Sequence, residues 1–331
     1  MKAPPSTAHP NRAQPAEPAA SGFRRLVLAT AVATFVLIVV GGIVRVSDSG
    51  LGCGPGGSGF HGWPLCKGDV VPGVDLNSVV EYTHRALAGA VSLMILALVV
   101  LSWRRHRQFL GVTVALMLLI LAQAGLGGAT VEENLEEALV AAHLGLAMLL
   151  LGGLLYLWRG AEGARPQSGG PRLLAVAASV AVFCTVVAGG YMAGTQNYGR
   201  ADYQLGDGAH HACGKEFPSC NGDFMPFGQS RLVDIHLTHR AFMYLASVLL
   251  IALIVVSLRR RVAVPYALAL AGLLVTQILV GALNVWLDEY EWLIVLHLAL
   301  GTLLWATTLG LTLQVSPARE RAHGRAEAVA A

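Results

Sequence analysis

Charge is what this sequence has least of. Only 13% of its 331 residues are Asp, Glu, Lys or Arg, while 55% are hydrophobic. Soluble domains carry about a quarter charged residues, so an ordinary water-soluble globule is excluded, and the mean hydropathy of +0.59 agrees. The net charge of +3 gives no reason to expect nucleic acid as a partner. A cleavable signal peptide is not expected either, because the first apolar run is too long and lacks a small-residue cleavage site. Proline is nearly absent from the apolar runs, Pro265 near the start of one being the exception. Cysteines number only five.

What is present is a series of long apolar segments. Residues 26–44 hold no charge, and a run of that length crosses a hydrocarbon core of about 30 Å. Seven further spans read at 81–102, 109–129, 139–158, 173–194, 235–257, 263–285 and 291–313. The expected fold is therefore all-α integral membrane, with eight transmembrane helices.

The basic residues give an orientation. Arg24, Arg25, Arg104, Arg105, Arg107, Arg159, Arg165, Arg172, Arg259, Arg260, Arg261, Arg319, Arg321 and Arg325 all fall on one side. Arg45, Lys67, Arg200, Lys215 and Arg231 fall on the other, with acidic residues such as Glu132, Glu133, Glu136, Glu137, Asp288, Glu289 and Glu291. The positive-inside rule puts both termini in the cytoplasm.

The chain also repeats itself. Thr83-His84-Arg85 returns as Thr238-His239-Arg240, and a second histidine follows each after 59 and 58 residues, at His143 and His297. Val39-Val40-Gly41-Gly42 is echoed by Val187-Ala188-Gly189-Gly190, and Gln123 with Gly127 by Gln277 with Gly281. Trp63-Pro64-Leu65-Cys66 corresponds to Phe217-Pro218-Ser219-Cys220. Two parallel-repeat four-helix bundles follow, related by an axis along the membrane normal. The division is a disordered cytoplasmic N-terminus 1–24, an N-terminal half 25–160, a linker 161–172, a C-terminal half 173–315 and a tail 316–331.

All four histidines enter from the outer side, within about the first two turns of their spans. Imidazoles facing one another at one depth in a helix bundle are suited to holding heme iron from both sides. A lone histidine here would read as an interfacial hydrogen-bonding residue; four at repeated spacing do not. Zinc or copper sites usually add carboxylates, thiols or closely spaced histidines. Arg85 and Arg240, one residue beyond a candidate ligand, are placed either to pair with a heme propionate or to snorkel to the interface. Aligning the repeats sets Glu81 opposite His236. Glu81 lies three residues before His84 on the same helix face, as a helix-dipole partner or as a catalytic group in one pocket only.

Cys53, Cys66, Cys213 and Cys220 lie in the outer loops, where thiols tend to be oxidised. One pair per loop suggests Cys53–Cys66 and Cys213–Cys220, although four cysteines allow three connectivities. Such bridges would staple loops that lack a core, or exchange electrons with a partner. His61, His210 and His211 lie near them and raise the question of a loop metal. Cys184, inside the fifth span, reads as packing.

These residues resemble the heme A synthase family, in its cysteine-containing bacterial branch. The likeness rests on Gly41-Gly42 with Arg45 and Ser49-Gly50-Leu51, on Trp63-Pro64-Leu65-Cys66, on Glu81-Tyr82-Thr83-His84-Arg85, and on His143, His239 and His297. It covers about residues 25–315. The resemblance implies oxidation of the heme O C8 methyl to a formyl group for cytochrome oxidase, in the bacterial cytoplasmic membrane. It implies a heme b cofactor on His239 and His297, a heme O substrate pocket at His84 and His143, and Glu81 in catalysis. Heme O synthase and cytochrome oxidase assembly factors are the implied partners. The second outer loop departs from the pattern, being long and carrying His210-His211. The competing reading is a two-heme membrane cytochrome b passing electrons to or from quinone; hemes stacked through the membrane depth would suit it better than histidines near one leaflet.

Overall fold

The computed structural model describes residues 19–163, 166–195, 208–287 and 290–315. The N-terminal segment to residue 18, the tail 316–331, Arg165, Arg200, Asp288 and Glu289 lie outside the described residues. Eight helices there are long and apolar enough to cross a membrane: α1 (Ser21–Val46), α2 (Leu76–Arg105), α3 (Leu110–Glu132), α4 (Glu137–Glu162), α5 (Arg172–Gly194), α6 (Arg231–Arg260), α7 (Val264–Trp286) and α8 (Glu291–Gln314).

Local chemistry sets several of these ends. Asp75 and Ser230 cap α2 and α6, their side chains accepting the N–H groups of Ser78 at 3.0 Å and Val233 at 3.3 Å. Glu136 caps α4 through Leu139 N–H at 3.0 Å. Pro265 falls in the first turn of α7, where a missing N–H costs nothing. Both α2 and α6 start about a turn earlier than the apolar runs suggest, because the caps and loop contacts, not apolarity, decide where winding begins. His84 and His239 are thus in the third turn rather than the first two, and Glu81 sits well inside α2.

Each half closes on itself. α1 packs on α2 and α4, α2 on α3 and α3 on α4; α5 packs on α6 and α8, α6 on α7 and α7 on α8. The halves meet through α4 against α5, α1 against α8 and α4 against α8. Between apolar helices in lipid, close approach of backbones replaces the hydrophobic effect as the main attraction. A Cβ on Gly42 would come within 2.6 Å of Leu298 Cδ2, and one on Gly190 within 2.9 Å of Leu144 Cδ2. Leu144 and Leu298 directly follow His143 and His297, so each of these glycines packs on the neighbour of the other half's second histidine.

Two loops cap the end of the bundle that holds the histidines. Each contains a disulfide, Cys53–Cys66 and Cys213–Cys220, and a cis X-Pro bond, Trp63-Pro64 and Phe217-Pro218. An isolated antiparallel bridge follows each second cysteine, Cys66 with Asp69 and Cys220 with Asp223.

Candidate heme-binding site

One cavity of about 690 Å³ runs through both halves and is lined by His84, His143, His239 and His297. The four imidazoles are seated in the same way. Each presses on a glycine of the preceding helix: an added Cβ would lie 3.1 Å from His84 Cε1 at Gly41, 3.1 Å from His143 Cε1 at Gly127 and 3.1 Å from His239 Cε1 at Gly189. At Gly281 it would lie 2.9 Å from His297 Cε1. Any larger residue at these positions would push the ring into the cavity. The glycines are visible in the repeat, but their pairing with the histidines is not, because it depends on how neighbouring helices are rotated.

The rings of His239 and His297 face each other with centroids 6.5 Å apart at an interplanar angle of 68°. Two metal–imidazole bonds of about 2 Å and two ring radii of about 1 Å sum to about 6 Å, so an iron between them fits. His239 Nδ1 donates to the carbonyl of Thr185 at 3.0 Å, which leaves its Nε2 as the lone-pair nitrogen. His84, His143 and His297 each keep a buried Nδ1 with no hydrogen-bond partner among the described residues. A buried polar atom left this way is costly unless something else satisfies it. The two glutamines of the repeat differ in use. Gln123 donates to the backbone carbonyl of His143 at 2.9 Å, whereas Gln277 Nε2 lies 3.3 Å from His297 Nε2.

Glu81 is 3% exposed and lines the cavity. One carboxylate oxygen pairs with Arg85, and the other accepts the backbone N–H of Cys53 at 2.8 Å. The loop lies directly on α2 at this point. Ser78 donates its hydroxyl to the Gly52 carbonyl at 2.6 Å, and a Cβ on Gly52 would reach within 2.8 Å of the Ser78 nitrogen. In the second half, His236 takes the place of Glu81, is also 3% exposed, and holds the Ala209 carbonyl through Nδ1 at 2.7 Å. Both residues fasten a loop to a helix with the donor and acceptor exchanged, yet only the first brings a carboxylate to the cavity.

Arg85 and Arg240 are neither free at the interface nor aimed only at the cavity. Arg85 Nη1 donates to the carbonyls of Gly62 at 2.8 Å and Leu65 at 3.0 Å. Arg240 donates to Ser219 at 2.7 Å and Glu216 at 2.8 Å, and stacks over Phe217 at 5.5 Å. The guanidinium fork thus binds the cysteine loop in each half, while both residues also line the cavity.

His210 is a cavity-lining residue whose place the sequence could not reveal. It reaches the cavity from the second loop with its Nδ1 buried and unpartnered among the described residues. Burial, then the neighbouring His236 and His239, push its pKa well below the ordinary histidine value and keep it neutral. His61 is exposed within the first loop, its ring against Gly68. Among the described residues no group of three or more His, Cys, Asp or Glu is arranged to hold a metal ion, so the loop-metal reading of His61, His210 and His211 has no such cluster behind it.

The profile of the COX15-CtaA family, described as cytochrome oxidase assembly protein, matches residues 75–309, well over half of the chain. The chain belongs to this family. Members similar to it include the heme A synthase of Shouchella clausii, 28% identical over 248 residues, which is 71% of this chain and 75% of that protein. The heme A synthase of Halalkalibacterium halodurans is 28% identical over 244 residues, 70% of this chain and 74% of its own length. That of Bacillus licheniformis is 31% identical over 133 residues, 39% of this chain and 41% of its own. The matched stretch of the COX15-CtaA profile takes in His84, His143, His239 and His297, Glu81, Arg85 and Arg240.

Proposed function

We propose that this chain is a heme A synthase, a multi-pass membrane oxidoreductase that converts the C8 methyl group of heme O to a formyl group for cytochrome oxidase. The observation that carries the reading is the pair of glycine-backed histidine sites in one cavity, with a carboxylate at only one of them. Family membership and the names of the relatives support it.

In this reading His239 and His297 hold a resident heme b, and His84 and His143 present heme O in the N-terminal half. The bound heme supplies one-electron chemistry at a potential tuned by two imidazoles and burial. The protein's own contribution is positional. Glycine backing and the Thr185 carbonyl fix ring orientation, the arginine-clamped loops keep water from the cavity mouth, and Glu81 takes a proton on its carboxylate as the methyl carbon is oxidised. Methyl to formyl is a four-electron oxidation through two hydroxylations and loss of water, and an oxidant outside the chain takes up the electrons. A carboxylate oxygen carries two lone pairs, so Oε2 can accept a substrate proton while still bonded to Cys53 N–H.

The oriented basic loops support placing both termini in the cytoplasm and the histidines near the outer leaflet of the bacterial plasma membrane. Heme O synthase and the oxidase assembly machinery are the natural suppliers and receivers of such apolar hemes. A two-heme quinone cytochrome b accounts for the histidines but gives Glu81 no task.

The test is acid extraction of hemes from protein made in cells that also produce heme O. Heme b together with heme O or heme A supports the synthase, whereas about two heme b per chain and no conversion would reject it. His239→Ala should deplete heme b; unchanged heme b content would mean that the cofactor sits on the other pair.

A further inference from the structure

The walls of the two pockets differ in a way that neither the histidines nor Glu81 explains. Aligned on Thr-His-Arg, Ala88 and Gly89 of α2 stand where α6 has Met243 and Tyr244. Aligned on the glutamines, Ala124 of α3 stands where α7 has Ile278. At all three positions the first half carries the smaller residue. Ala88, Gly89 and Ala124 line the cavity on one side, and Met243 and Ile278 line it on the other.

Two of the smaller residues are also exposed. Gly89 and Ala124 are exposed while lining the cavity, whereas Met243, Tyr244 and Ile278 are all partly buried. A Cβ on Gly89 would meet no atom within 4 Å. Beside this opening, Leu93 of α2 and Leu121 of α3 are exposed apolar residues at 67% and 60%, as expected of helix faces in contact with lipid. Between α2 and α3 the cavity wall is thus made of small, exposed residues that lie on the same helices as these apolar outer faces. In the second half, thioether, phenol and sec-butyl groups stand at the corresponding positions.

We propose that the slot between α2 and α3 seats the isoprenoid chain of a prenylated heme, and that Met243, Tyr244 and Ile278 reserve the second pocket for a heme without one. A long apolar chain fixed to a rigid macrocycle cannot fold back into a filled bundle. It can lie along a slot continuous with lipid without crossing water. The inference rests on the synthase reading and adds to it the reason why substrate and cofactor do not exchange places.

The test uses the full chain with its resident heme, titrated with heme O and separately with heme b and followed by optical spectra. The wild type should bind heme O in the first pocket more tightly than heme b. In the Gly89→Leu/Ala124→Ile variant, heme O affinity should fall by at least about tenfold, the scale on which a crowded apolar pocket discriminates, with heme b affinity there unchanged. Unchanged heme O affinity, or equal loss for both hemes, would overturn the slot. A reciprocal variant, Met243→Ala/Tyr244→Gly/Ile278→Ala, covers the case in which the first fails to fold. It should admit heme O to the second pocket, as read by extracted heme, and continued exclusion would again overturn the slot. A wild type that binds no heme O would sink the synthase reading together with the slot. A wild type that binds it, and a variant that binds it equally, would sink the slot alone.

Discussion

Glu81 accepts the backbone N–H of Cys53 at 2.8 Å, which ties the single carboxylate of the cavity wall to a residue whose sulfur is bonded to Cys66. The carboxylate is held from the other side by Arg85, and Arg85 in turn holds the loop that contains Cys66. Loop, disulfide, carboxylate and first histidine form one connected unit. The second half keeps the loop, the disulfide and the arginine but substitutes His236, which bonds to a carbonyl instead of an N–H.

Glu81→Gln preserves an acceptor for Cys53 N–H and removes the proposed base. Heme content should match the wild type, while conversion of heme O falls by about 10²–10⁴-fold, the usual contribution of general-base catalysis. Chromatography of extracted hemes measures both quantities together; normal heme A formation in the variant would remove Glu81 from the mechanism.

Gly281→Ala places a methyl group 2.9 Å from His297 Cε1. Overpacking of this kind costs about 1–3 kcal/mol, here paid by displacing a candidate iron ligand. Heme b occupancy and its visible spectrum should change while the helices remain. Gly272→Ala, on the same helix with no atom within 4 Å of the new Cβ, should leave both unchanged and serves as the control.

Arg240 is 3% exposed and spends its fork on loop carbonyls. Arg240→Ala leaves those carbonyls without their charged donor, a loss of about 1.5–3 kcal/mol for such bonds. Thermal unfolding should shift downward, and limited proteolysis should cut first in the Cys213–Cys220 loop. Arg240→Lys should recover the smaller part of the loss, since an ammonium cannot bridge both carbonyls with a planar fork.

Asp75 is bonded to Lys67 at 2.7 Å and to Ser78 N–H at 3.0 Å. Hydrogen bonds from Lys67 and Ser78 hold its carboxyl well below the usual carboxylate range. A carboxyl with a depressed folded-state pKa stabilises the fold above its unfolded value and loses that contribution as pH falls through the folded one. Hydrogen exchange at the start of α2 should therefore quicken in strongly acidic solution in the wild type. In Asp75→Asn the same segment should already exchange faster at neutral pH, with little further acid dependence.

Much of the molecule was legible in the sequence because the signals were compositional or periodic. Apolar length located eight helices, since only hydrocarbon thickness sets it, and the duplicated Thr-His-Arg, Gln and Cys positions picked out the histidines, Glu81 and the two loop bridges. Helix starts were less legible. The N-terminal turns of α2 and α6 are polar, and they wind because Asp75 and Ser230 cap them and loops rest on them. The loop contacts of the arginines were not legible for a similar reason: the carbonyls that Arg85 and Arg240 bind come from 20 or more residues away along the chain.

By itself, then, the sequence determined which segments are long and apolar enough to cross a membrane, and which residues recur at matched spacing along the chain. Those properties follow from transfer free energy and spacing along one chain. Only the tertiary structure decided that four glycines back four imidazoles, that Glu81 and His236 latch loops with opposite polarity, and that Gly89 and Ala124 are exposed where Met243 and Ile278 are partly buried. Each of these depends on the rotation of one helix against another, and packing between helices sets that rotation, not any residue taken alone.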